Sequence, residues 1–129
     1  MTLNAKLYHY HIQDIVKIKK SDYYKELELD IGISGDEQEA TDRFSLVICT
    51  LEGMTEVYRE HIKVYSMAQF DHILIVENLD EKEIVSRLKK RIEAVRGKSW
   101  EDISQKLAVF LNYEFLPNVP SWENILTTP

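Results

Sequence analysis

Residues 72–115, HILIVENLDEKEIVSRLKKRIEAVRGKSWEDISQKLAVFLNYEF, order a strand, two capped helices and a short closing strand. The apolar run at 72–76 is short enough for a strand, and Asp80 with Glu83 three residues on forms a capping box that opens a helix. Ile84, Val85, Leu88, Ile92 and Val95 then recur at helical spacing, and Gly97 is expected to end the helix. Ser99 with Asp102 repeats the start signal. Trp100, Ile103, Leu107 and Phe110 lay a second apolar stripe, and Tyr113-Glu114-Phe115 closes the segment as a short strand. Asp80, Glu81 and Glu83 thus read as a cap that offsets the helix dipole, not as a pair of catalytic acids.

Upstream, the pattern is that of an antiparallel sheet. Residues 3–12 can form a strand, and 17–22 read as a polar turn. In Glu26-Leu27-Glu28-Leu29-Asp30-Ile31-Gly32-Ile33 the alternation is strict, so the apolar residues share one face and Glu26, Glu28 and Asp30 the other. Residues 43–50 and 72–76 are apolar on both faces and are therefore expected to be central strands. Leu51 to His61 reads as a short helix with Val57 and Tyr58 on its apolar side, weakened by Gly53 and Thr55. The predicted fold class is α+β: a mainly antiparallel sheet with two C-terminal helices packed on one face. One domain fits all 129 residues, with 118–129 as a tail that Trp122, Ile125 and Leu126 would dock on the body.

Several function classes are disfavoured by composition. The lone Cys49 cannot form an internal disulfide and sits in an apolar strand, where a small core residue is the ordinary reading. No apolar run nears the roughly 20 residues needed to span a bilayer, and Met1 to Lys6 has no signal core, so a cytoplasmic protein without membrane contact is expected. The basic cluster Arg87, Lys89, Lys90 and Arg91 lies on a helix with offsetting acids, which argues against nucleic-acid binding. Gly32, Gly35, Gly53 and Gly97 are too scattered for a phosphate loop.

Charge is the clearest pointer to a partner. Glu26, Glu28, Asp30, Asp36, Glu37, Glu39 and Asp42 fall in seventeen residues that hold no Lys or Arg, while the whole chain carries only −6. On the strand, successive carboxylates stand roughly 7 Å apart, twice the rise per residue. The stretch is either a solvated face that keeps the sheet soluble or a docking surface for a basic protein, with carboxylates standing where a nucleic acid's phosphates would. An aromatic face including Tyr8, Tyr10, Tyr23 and Tyr24 could add contact area. His9-x-His11 places two imidazoles on one strand face, which opens an alternative: a small metal-binding enzyme or ligand-binding domain using His9 and His11. Two ligands fall short of a site, and ordinary strand residues explain them equally. His61 and His72 are isolated, and Cys49 with His72 as nucleophile and base would need the thiol exposed. A homo-oligomeric structural protein is a third class.

Residues 43–116 resemble the immunity protein 8 family of bacterial polymorphic toxin systems. The resemblance rests on Cys49-Thr50 closing an apolar strand, Leu74-Ile75-Val76-Glu77, Gly97-Lys98-Ser99-Trp100 and the final Glu114-Phe115. Leu51 departs from the family's Pro, no Trp follows it, and Tyr113 stands for the last Trp, so the loop after Cys49 is expected to differ in shape. The resemblance implies a protein that is not an enzyme, needs no cofactor, and protects the producing cell by capping the domain of a cognate toxin.

Overall fold

The computed structural model describes residues 1–14, 24–67, 70–78 and 80–115. In chain order these form β1 (Leu3–Asp14), β2 (Tyr24–Ile33), β3 (Thr41–Cys49), α1 (Leu51–Tyr65), β4 (Ile73–Ile75), α2 (Glu81–Glu93), β5 (Arg96–Gly97), α3 (Trp100–Leu107) and β6 (Asn112–Tyr113). The polar turn at 17–22, the docking of the C-terminal tail and the side chains of Tyr23 and Tyr24 lie outside the described residues.

The described strands make a single sheet in the order β4-β3-β2-β1-β5, with β6 also paired to β3. The fold is α+β as expected, but the sheet is mixed. β1–β2, β2–β3, β1–β5 and β3–β6 run antiparallel, whereas β3–β4 is parallel, with Val47 opposite Ile73 and Cys49 opposite Ile75. A parallel pair cannot be joined by a tight turn, and the crossover is α1. The expected short helix is therefore a fifteen-residue helix, capped by the Thr50 side chain, which accepts from the Gly53 N–H. A third helix thus precedes the two near the C-terminus.

Alternation in β2 and the register across it define the core. Leu27, Leu29 and Ile31 stand opposite Leu46, Phe44 and Asp42 of β3, and the β2 leucines and isoleucine are fully buried with Phe44. α2 and α3 cover this face through Ile84, Val85, Leu88, Ile92, Ile103 and Leu107, together with Leu111. Among the described residues, the opposite face is covered only at one end, where Val57 and Met54 of α1 meet Val47, Cys49, Phe70 and Ile73. Val57 is buried there, but Tyr58 turns to solvent.

Two sequence expectations need correction. β3 is central, but β4 is an edge strand. Its apolar character on both faces comes from helices on both sides of the sheet: Leu74 packs with the main core and Ile73 under α1, while Ile75 is half exposed. Gly97 does not end α2, which is capped by Ala94 in ordinary right-handed geometry. Instead Gly97 pairs with Leu3 in β5, and a Cβ there would come within 2.5 Å of an Asp102 carboxylate oxygen and 3.0 Å of Ile103. Glycine at 97 serves close packing of the link between two helices, not a left-handed turn.

Candidate functional site

The half of this sheet face that α1 leaves open carries a row of charged side chains on paired strands. Alternation sends Glu26, Glu28 and Asp30 of β2 to this face, and the register sets neighbours on both sides. His9, Asp30 and Arg43 form one row across the strands, His11, Glu28 and Ser45 the next, and Gln13, Glu26 and Val47 the third. The side chains are wired together. Gln13 Nε2 donates to Glu26 Oε1 at 2.9 Å and to Glu28 Oε1 at 3.0 Å. Arg43 reaches Glu28 Oε2 through Nη1 at 2.8 Å and donates from Nε to Asp30 Oδ1 at 3.2 Å. Side-chain exposure is 53% for Arg43 against 20% and 26% for Glu28 and Asp30, so the guanidinium lies over the two carboxylates it bridges. The hydrogen bond to Asp30, the charges of Asp30 and Glu28 and, more weakly, that of Glu114 push the Arg43 pKa up. Glu114 also closes the outer side of β3 here: its Oε1 accepts from the Arg43 N–H at 2.7 Å.

One end of the face is the turn at 34–40. Asp36 holds that turn, with its oxygens accepting from the backbone N–H groups of Gln38 (3.3 Å) and Ala40 (3.0 Å). Glu37 and Glu39 are exposed, and Glu39 adopts a left-handed φ of 50°. The Tyr8 hydroxyl donates to the Ile33 carbonyl at 2.7 Å, and its ring lies against Gly32. Loss of hydration and then the charges of Glu39 and Asp36 raise the Tyr8 pKa, which marks this end as electronegative.

Of the seven carboxylates singled out in the sequence, six belong to this region: Glu26, Glu28 and Asp30 on the open face, and Asp36, Glu37 and Glu39 in the turn at its end. Asp42 does not. It stands opposite Ile31 and shares its face, where Oδ2 accepts from Trp100 Nε1 at 2.7 Å and from the Tyr113 hydroxyl at 2.6 Å. Asp42 is a latch that ties α3 and β6 to β3. Gln13, Arg43 and Glu114 were missed by sequence reasoning because only the pairing of strands brings them to the acidic row. The phase of Arg43-Ser45-Val47 against the buried Phe44-Leu46-Ile48 was the signal available for Arg43.

The other candidates resolve as follows. His9 and His11 are exposed beside the acidic row, and among the described residues no group of three or more His, Cys, Asp or Glu comes together to hold a metal. Cys49 is fully buried, which raises its thiol pKa, and it pairs with Ile75, whereas His72 lies at the Val47 end of β4. A groove of about 460 Å³ lies between β4 and the start of α2, lined by Leu74, Val76, Ile84 and Leu88 with the Arg87–Glu83 pair at 2.9 Å on its rim. Among the described residues no helix is long and apolar enough to cross a membrane.

These features define an α+β domain that presents a charged, prewired sheet face between a helix and an acidic turn. The model of the family described as Immunity protein 8 matches residues 4–116, and the chain belongs to that family. The match takes in β1 and β2 and therefore the whole of the acidic row, upstream of the segment where the resemblance was first legible. Neither the search of curated proteins nor that of solved structures gives a match.

Proposed function

We propose that this chain neutralises a cognate protein toxin by direct, non-catalytic binding in the cytoplasm of the producing cell, and that the toxin meets the open sheet face. The observation that carries the reading is the row Glu26, Glu28 and Asp30 on the part of the sheet face that no described helix covers, continued by Asp36, Glu37 and Glu39 at its end. A face of this sign suits a basic toxin surface, as in the cleft of a nuclease, and its main effect is on the rate of encounter. Arg43 refines the complementarity. Glu28 and Asp30 already share its guanidinium, so the toxin's cations meet Glu26 and the turn, while the half-exposed guanidinium at the centre of the face can donate to a carbonyl or carboxylate. Asp42 supports the interface only by holding the scaffold.

The test follows from that division. Reversing Glu28 or Asp30 would strand Arg43, so the informative variant is Glu26→Lys with Glu37→Lys and Glu39→Lys. Its circular dichroism should match wild type, its association with the toxin at low salt should slow by about tenfold or more, and the salt dependence of the rate should flatten, because steering is screened over about 8 to 10 Å. A triple variant that protects cells and associates as fast as wild type at low salt would leave the acidic face a solubility device.

A further inference from the structure

β1 is twelve residues long, but among the described residues its outer side is closed only near its start. Leu3 and Asn4 pair with β5, the Ala5 N–H donates to the Val95 carbonyl at 3.0 Å, and the Leu7 N–H donates to Glu93 Oε2 at 3.2 Å. At Tyr8 the register slips: Leu7 stands opposite Ile31, and His9 opposite Asp30. This bulge changes which residues turn their peptide groups outward. The Ser34 N–H donates to the Asn4 carbonyl at 2.8 Å, which fixes the hydrogen-bonded positions of β2 at Ser34, Gly32, Asp30, Glu28 and Glu26. Their partners His9, His11 and Gln13 therefore spend their peptide groups on β2, and Tyr10 and Ile12 point theirs away from it. No described strand pairs with that half of the edge.

The composition of this edge is unusual for an exposed one. Exposed edges are ordinarily blunted by charge, by Pro or by a covering element. Residues 7–13 contain no Asp, Glu, Lys or Arg, although the chain carries a net charge of −6. A twofold contact sets a surface against its own copy, so a patch of one net sign meets the same sign. In an acidic chain an uncharged strand edge is where a second copy meets least repulsion. The opposite edge of the sheet, at β4, is only three residues long and is followed by Glu77 and Asp80. On the β1 edge the Tyr10 ring is 44% exposed and Ile12 is half-buried, an aromatic and a β-branched side chain of the kind that pair well across strands.

We propose that the chain forms a homodimer by antiparallel pairing of two β1 edges across a twofold axis, Tyr10 of each protomer opposite Ile12 of the partner subunit. The two sheets become one, and the acidic rows of both protomers remain uncovered on the same side. The pairing does not depend on what the acidic face binds.

Sedimentation velocity on the full chain, from about 1 μM to about 1 mM, tests this. The dimer fraction should rise with protein concentration and with salt, since screening weakens the repulsion of two acidic chains. Tyr10→Pro removes an N–H that β2 does not use, a substitution that edge strands tolerate, and should weaken self-association by at least about tenfold. Tyr10→Glu, at a half-exposed side chain, should do the same by adding like charge to the seam, and it carries the test if the proline variant does not fold. Val109→Glu, at an exposed position outside β1, should leave self-association unchanged. A wild-type chain that stays monomeric across the range, or a dimer that survives Tyr10→Glu, overturns the proposal. So does a monomeric wild type whose Tyr10→Glu variant no longer protects against the toxin, because that result assigns the edge to a strand of the toxin.

Discussion

Removing the Asp42 carboxylate should unfasten the C-terminal third of the domain from the sheet. Asp42 accepts from Trp100 Nε1 at 2.7 Å and from the Tyr113 hydroxyl at 2.6 Å, and both rings lie on Phe44, Trp100 edge-on at 6.2 Å between centroids and Tyr113 stacked at 4.5 Å. A hydrogen bond to a charged group is worth about 1.5 to 3 kcal/mol. The site is partly exposed, so the lower part of that range applies, and Asp42→Ala should cost about 2 to 4 kcal/mol in all. For a domain near this size each kcal/mol moves Tm by roughly 3 to 5 °C, which makes the expected drop roughly 6 to 20 °C in a thermal melt. Asp42→Asn keeps an acceptor without the charge and should lose about half as much. Glu37→Ala, at an exposed residue of the same acidic stretch, should stay within about 0.5 kcal/mol of wild type. Urea titrations of the three variants give the comparison directly. An Asp42→Ala chain that melts within about 2 °C of wild type would show that Trp100 and Tyr113 are held by packing alone. The assignment of Asp42 to the scaffold would then fail.

Three further outcomes follow from particular contacts. Loss of hydration, followed by the hydrogen bond to Asp42 and its charge, raises the Tyr113 pKa above the ordinary tyrosine value. The folded state then holds that proton more tightly than the unfolded chain, so the stability it contributes is full below pH about 10 and is lost as pH rises through the folded value. A pH series of urea midpoints should show this alkaline loss, and Tyr113→Phe should reduce it to what Tyr8 and Cys49, raised likewise, leave. Gly32→Ala should destabilise by about 2 kcal/mol or more in the same titration, because its Cβ would run into the Ala40 backbone carbonyl. Replacing His9 and His11 together by Gln should leave the melting curve and toxin protection unchanged, since both are exposed strand residues; stoichiometric zinc in the purified wild type, lost in the double variant, would overturn that reading.

What the sequence determined by itself was local. The Asp80 and Ser99 caps, the helical stripes of α2 as far as Ile92 and of α3 as far as Leu107, and the strict alternation of β2 each depend on residues within a few positions of one another, and they appear in the structure as read: Asp80 accepts from the Glu83 N–H, Ser99 from the Asp102 N–H, and Leu27, Leu29 and Ile31 are fully buried. The resemblance to immunity protein 8, carried by scattered positions from Cys49 to Phe115, also lay in the sequence. Pairing decided the rest. Whether β4 was central or at the edge could not be read from an apolar run, because helices above and below a strand bury both its faces as well as neighbouring strands do. The seven carboxylates looked like one patch, yet a strand turns successive residues to opposite faces. Only the register of β3 on β2 separates Asp42, under Trp100 and Tyr113, from Asp30, beneath Arg43. Gln13 and Arg43, thirty residues apart in the chain, meet the same Glu28 for that reason alone.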